Sequence, residues 1–115
     1  MEKKEISTID ELLNEARKYI HDENEIEVIK KAYDYASKVH KNKKRLSGDD
    51  YILHPLNVAY ILTSLYADSD TLATALLHDV IHKGNATIED VRDNFGDEIG
   101  NLLEGITKIN KLNIS

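Results

Sequence analysis

Two short stretches carry the residue types that can do chemistry. In Leu76-Leu77-His78-Asp79-Val80-Ile81-His82-Lys83, a histidine, an aspartate and a second histidine close an apolar run just before Gly84. Adjacent residues on a helix lie about 100° apart and positions i and i+4 share a face. His78 and Asp79 at a helix edge can therefore reach one divalent ion, with His82 one turn on, over His78. A lone His-Asp pair is more often a half-buried histidine beside a solvated carboxylate, so a second stretch is needed. Tyr51-Ile52-Leu53-His54-Pro55 supplies it, with the chain's one proline placed as a first helical residue, where its missing N–H costs nothing. His54 is thereby held at a helix entrance. His54, His78 and Asp79 form a nitrogen and oxygen donor set suited to Mn, Fe or Zn, and a single-ion hydrolytic site would leave positions open for water. With no Cys in the chain, imidazole and carboxylate are the donors available.

A rival reading uses His82: His78-Asp79-Val80-Ile81-His82 has the H-x-x-x-H spacing of zinc metalloproteases, with Asp where their Glu base stands. The shorter carboxylate reaches poorly and no third ligand of the expected kind follows, which disfavours it. His82 could instead recruit an ion for a different phosphohydrolase. Upstream, Lys38-x-His40-Lys41-x-Lys43-Lys44-Arg45 is a basic cluster beside Ser47-Gly48-Asp49-Asp50, a stretch with turn chemistry. Such a cluster can hold a small phosphorylated ligand. His40 reads as structural or solvated rather than as a ligand, His21 as surface, and Tyr33, Tyr35, Tyr51, Tyr60 and Tyr66 as packing residues.

The elements that must position these groups read as helices. A first helix opens at Ser7 or Thr8, where Thr8-x-x-Glu11 has capping-box spacing, and runs through Ile9, Leu12, Leu13, Ala16 and Ile20. Asp22 or Asn24 caps a second, carrying Ile26, Ile29, Ala32, Tyr33, Ala36 and Val39 at three-and-four spacing. The third enters at His54-Pro55 and packs through Val58, Ile61, Leu62 and Leu65. Asp68 or Ser69 caps a fourth, from Asp70 to about Lys83. Thr87-x-x-Asp90 starts a short fifth ending near Phe95-Gly96, and Asp97 starts a sixth through Ile109. Five or six helices with short connections predict a compact all-α bundle.

Composition bounds the class. The 115 residues suffice for one domain and are too few for two. A formal charge of −6 argues against a general nucleic-acid binder, since neutralising phosphates needs a basic surface. No apolar run reaches membrane-spanning length and the N-terminus has no hydrophobic signal segment, so no membrane role is expected and the expected location is cytoplasmic. Leu112-Asn113-Ile114-Ser115 carries no helix-ending signal, the pattern of a cut element, so residues 1–115 are expected to form one partial domain.

An ordered series of blocks is more specific than any of these signals. It comprises Ala36-x-x-Val39-His40-x-x-x-Lys44-Arg45-Leu46-Ser47-Gly48-x-x-Tyr51-Ile52-Leu53-His54-Pro55, then Leu76-Leu77-His78-Asp79-Val80, Thr87-Ile88-Glu89-Asp90, Phe95-Gly96 and Gly105-Ile106-Thr107-Lys108. Over roughly residues 30–112 the series closely resembles the N-terminal HD hydrolase domain of RelA/SpoT enzymes, which make and degrade the alarmone (p)ppGpp in the stringent response. The resemblance implies an HD fold, a Mn2+ site on His54, His78 and Asp79, and a guanine-nucleotide pocket with Arg45 on the base and Ser47 nearby. It implies hydrolytic removal of the 3′-pyrophosphate, by water activated at the ion. Three departures stand out. The family's Glu-Asp pair, which positions water and assists proton transfer, is here His82-Lys83. The basic residue after the stacking arginine is Leu46. The family's fourth metal ligand, an Asp in a later helix, would fall beyond residue 115. Replacing two carboxylates by an imidazole and a cation should cost base catalysis orders of magnitude, so the resemblance implies weak or lost hydrolysis. A non-catalytic, nucleotide-sensing module is the alternative.

Overall fold

The computed structural model describes the backbone of residues 5–114 and the side chains of residues 5–109. Among them are six helices: α1 (Ile9–Ala16), α2 (Glu23–Val39), α3 (Leu53–Thr63), α4 (Ser69–Leu77), α5 (Ile88–Phe95) and α6 (Asp97–Ile114). The all-α expectation holds.

The caps are those that side-chain chemistry selects. Thr8 Oγ1 accepts from Glu11 N at 3.3 Å while Glu11 Oε1 accepts from Thr8 N at 3.2 Å, satisfying two orphan donors at once. Thr87 and Asp90 make the same reciprocal pair. Of the alternatives the sequence left, Asp22 caps α2 and Asp68 caps α4, each carboxylate accepting a backbone N–H at 2.8 Å.

α4 is the central element. Ser69 and every residue from Leu72 to Leu77 are buried, and the helix packs against α2, α3 and α6. From α2 come Ile26, Ile29, Ala32 and Ala36, the stripe predicted from spacing, and α5 and α6 add Val91, Ile99 and Leu103. Each fully buried Leu or Ile is worth about 1.5–3 kcal/mol relative to exposure. Asn57 of α3 binds the N-terminal segment, accepting from Ile6 N and donating to Ile6 O at 2.8 and 2.9 Å.

Several boundaries differ from the sequence expectation, each for a physical reason. α1 ends at Ala16, with turns carrying the chain on to a still-buried Ile20. α4 ends at Leu77, six residues short of Lys83, where Asp79 takes Tyr51 as a tertiary partner, His78 turns back to the Ala75 carbonyl and the chain tightens into turns, Val80 N donating to Leu77 O at 3.0 Å. Pro55 is the third helical residue, not the first; it remains in the first turn, where no intrahelical N–H bond is lost. α3 buries Pro55, Leu56, Ala59 and Thr63, whereas Ile61 and Leu65 are 53% and 71% exposed. Nearly every residue of Leu53–Leu62 is apolar, so periodicity had no polar face from which to fix the inward side.

Between α2 and α3 the basic stretch closes on itself. Lys44 and Asp50 form an antiparallel bridge, Arg45 N donates to Asp49 O at 2.9 Å and Gly48 N to Arg45 O at 2.8 Å. Gly48 has φ of 93°, a backbone region open mainly to glycine. The result is a tight loop presenting Arg45, Leu46 and Ser47 to solvent.

Candidate metal centre

The start of α3 and the turn after α4 bring His54, His78 and Asp79 together, with one ligand atom of each lying within 4.8 Å of the others. Asp79 is buried, and its Oδ2 is the point of convergence. His78 Nε2 lies 3.1 Å from it, His54 Nε2 3.8 Å, and the Tyr51 hydroxyl donates to it at 2.6 Å. His78 Nδ1 lies 2.6 Å from the Ala75 carbonyl oxygen. A carbonyl only accepts, so Nδ1 carries a proton and the Nε2 edge is turned toward Asp79. Two imidazole nitrogens and a carboxylate oxygen facing one point repel unless a proton or a metal cation sits among them. The donor set therefore fits a divalent ion, and the Ala75 bond supplies the outer-shell orientation that imidazole ligands need.

Electrostatics follow from this crowding. The bond to Asp79 raises the pKa of His78 against its burial. Burial disfavours charge on Asp79, yet hydrogen bonds from His78 and Tyr51, reinforced by both imidazoles, bring it down to about 2. Burial lowers His54 despite Asp79, and burial next to the carboxylate pushes the Tyr51 hydroxyl well up.

His54 opens onto a cleft of ≈ 570 Å³ that Lys44, Arg45, Ser47, Tyr51 and Lys83 also line, with Glu5 and Asp49 as its acidic members. Lys44 is paired with Asp50 at 2.6 Å, and the Lys43 ammonium donates to the Lys83 carbonyl, tying the basic loop to the turn after α4. On the other side of His78 lies an apolar cavity of ≈ 290 Å³ between α3, α4 and α6.

His54, His78 and Asp79 meet; Arg45 and Ser47 share the adjoining cleft. His82 is exposed and stands outside the cluster, because α4 has ended and the i to i+4 relation to His78 with it. The metalloprotease reading loses its geometry for that reason. His40 is buried, its ring 4.8 Å from that of Tyr51. Tyr66, expected in the core, is 76% exposed and stands edge-on to Tyr19. Tyr51, taken for a packing residue, hydrogen-bonds a candidate ligand; its place three residues before His54 was the available signal.

The HD domain family model matches residues 32–115. The chain belongs to the HD-domain family. Within it the relationship is to the RelA/SpoT enzymes. This HD domain is 47% identical over 104 residues to a GTP pyrophosphokinase rsh of Brucella melitensis, a match covering 90% of this chain and 14% of that protein. It is 43% identical over 86 residues to a guanosine-3′,5′-bis(diphosphate) 3′-pyrophosphohydrolase of Aquifex aeolicus, covering 75% and 12%. It is 43% identical over 95 residues to a GTP pyrophosphokinase of Myxococcus xanthus, covering 83% and 12%. The matches thus span only about one seventh of these relatives' lengths. No helix among the described residues of the HD domain is long and apolar enough to cross a membrane.

Proposed function

We propose that this HD domain binds the alarmone (p)ppGpp at a Mn2+ site on His54, His78 and Asp79, and that its hydrolysis of the 3′-pyrophosphate is weak or lost. The observation that carries the reading is the placement of three convergent donors at the edge of a cleft shared with Arg45, Ser47 and Lys83. A divalent ion in that position supplies charge neutralisation for a pyrophosphate and acidifies water. The chain's own residues do the rest. Arg45, whose planar cation can stack on a base, stands in the cleft with the Ser47 hydroxyl beside it. His78 is oriented by the Ala75 carbonyl.

The weakness of hydrolysis is read from His82 and Lys83, at the places where the family carries Glu and Asp. His82 is exposed and stands outside the cluster, and the Lys83 ammonium has no lone pair with which to take a proton from water; general-base assistance is worth about 10²–10⁴-fold. Lys83 lining the cleft favours a second form of the same proposal, a module that holds the phosphates of a guanine nucleotide without cleaving them.

The test is release of pyrophosphate from ppGpp with Mn2+, for the unaltered chain and for His82→Glu/Lys83→Asp. The unaltered chain is expected to turn over slowly or not at all and the double variant to gain about 100-fold or more. Fast hydrolysis by the unaltered chain contradicts the weak-hydrolase reading. Nucleotide binding unchanged in Arg45→Ala would remove the proposed pocket.

A further inference from the structure

We propose that Tyr51 is a positioning residue for the metal centre: its hydroxyl fixes the Asp79 carboxylate so that Oδ2 faces the two imidazoles before any ion arrives. The inference rests on the metal-site reading above and adds a residue that the reading did not assign.

Three features support it. The Tyr51 hydroxyl donates to Asp79 Oδ2 at 2.6 Å, a charge-assisted bond of the short, strong kind. That oxygen is the one both imidazoles approach, so the hydroxyl occupies one of its lone-pair directions and leaves the other for a cation. The Tyr51 ring is itself held. His40 packs against it with ring centroids 4.8 Å apart, and His54 meets it edge-on at 5.9 Å. His40 is 2% exposed and neither of its ring nitrogens has a hydrogen-bond partner among the described residues. A histidine in that condition serves as a wall rather than a polar link. Tyr51 N also donates to Lys43 O at 2.9 Å, so the ring is anchored at the base of the Arg45 loop.

Without the hydroxyl, the Asp79 carboxylate is free to turn away from the orientation in which Oδ2 faces both imidazoles. Ion binding would then have to restore that orientation. Outer-shell partners of ligating groups typically account for about 10–100-fold in affinity.

The experiment is Mn2+ binding by calorimetry to the unaltered chain and to Tyr51→Phe, which keeps the ring against His40, with the ion-free melting temperature of each. Mn2+ affinity is expected to fall by about 10–100-fold in Tyr51→Phe, with the ion-free melting temperature nearly unchanged. Equal affinities in the two proteins overturn the positioning role while leaving the metal site standing. A lower ion-free melting temperature with unchanged affinity assigns Tyr51 a structural role only, and also overturns it. An unaltered chain that takes up no Mn2+ overturns the metal site and this inference together.

Discussion

His78 Nδ1 donates to the Ala75 carbonyl oxygen at 2.6 Å, and this bond decides which edge of the imidazole faces Asp79. The last turn of α4 thus acts as the jig for a candidate ligand one residue beyond it. Replacing His78 by Ala removes the donor and leaves the buried Asp79 carboxylate with fewer partners. Mn2+ affinity measured by calorimetry should drop about 100-fold or more, and thermal unfolding should show about 1–3 kcal/mol of lost stability.

Acidity and ion binding should oppose each other. The hydrogen bond to Asp79 raises the His78 pKa above its ordinary 6.5, so the ion-free protein keeps that imidazole protonated to higher pH than the unfolded chain does. Stability from this group is present in full below pH 6.5 and is lost as pH rises through the raised folded value. An ion needs the neutral ring, so Mn2+ affinity should climb over the same interval. Ion-free melting and calorimetric titrations across it should show opposite slopes; parallel slopes would contradict the assignment. Asp79, held down to about 2 against an ordinary 3.8, adds a separate acid limb, its stabilisation disappearing as pH falls through that range.

The loop that carries Arg45 depends on Gly48, whose φ of 93° penalises any side chain although nothing crowds the position. Gly48→Ala should cost about 1 kcal/mol or somewhat more in strain, confined to the exposed loop. Melting should change little and binding of a guanine nucleotide should weaken several-fold, since Arg45 and Ser47 lose their fixed place.

Gly84 is constrained differently. A Cβ there would run into the Val39 side chain and the Val80 carbonyl oxygen, where the turn after α4 lies against the end of α2. Gly84→Ala should destabilise the fold by about 1–3 kcal/mol, readable as a lower denaturation midpoint, and should displace Lys83 from the cleft.

The helices were legible where chemistry repeats at helical spacing or marks an end. The Thr8 and Thr87 capping boxes mark two helix starts, the caps of α2 and α4 were narrowed to two candidates each, and Ile26, Ile29, Ala32 and Ala36 announce a face by their period. The face of α3 was hidden because Leu53–Leu62 is apolar nearly throughout. The end of α4 was hidden because one of the bonds made there is tertiary: Asp79 accepts from Tyr51, a residue far away in the chain, while His78 turns back to Ala75. His54, His78 and Asp79 could be nominated from residue type and order. Their partner Tyr51 carried only the weak signal of standing three residues before His54, and its hydroxyl 2.6 Å from Asp79 is what separates it from a core tyrosine.

The most direct test is a calorimetric titration of this chain with Mn2+, run beside His54→Ala. One ion bound by the unaltered chain, and lost or weakened about 100-fold in the variant, is the predicted result. Binding of equal strength in both proteins, or none in either, would contradict a metal centre built on His54, His78 and Asp79.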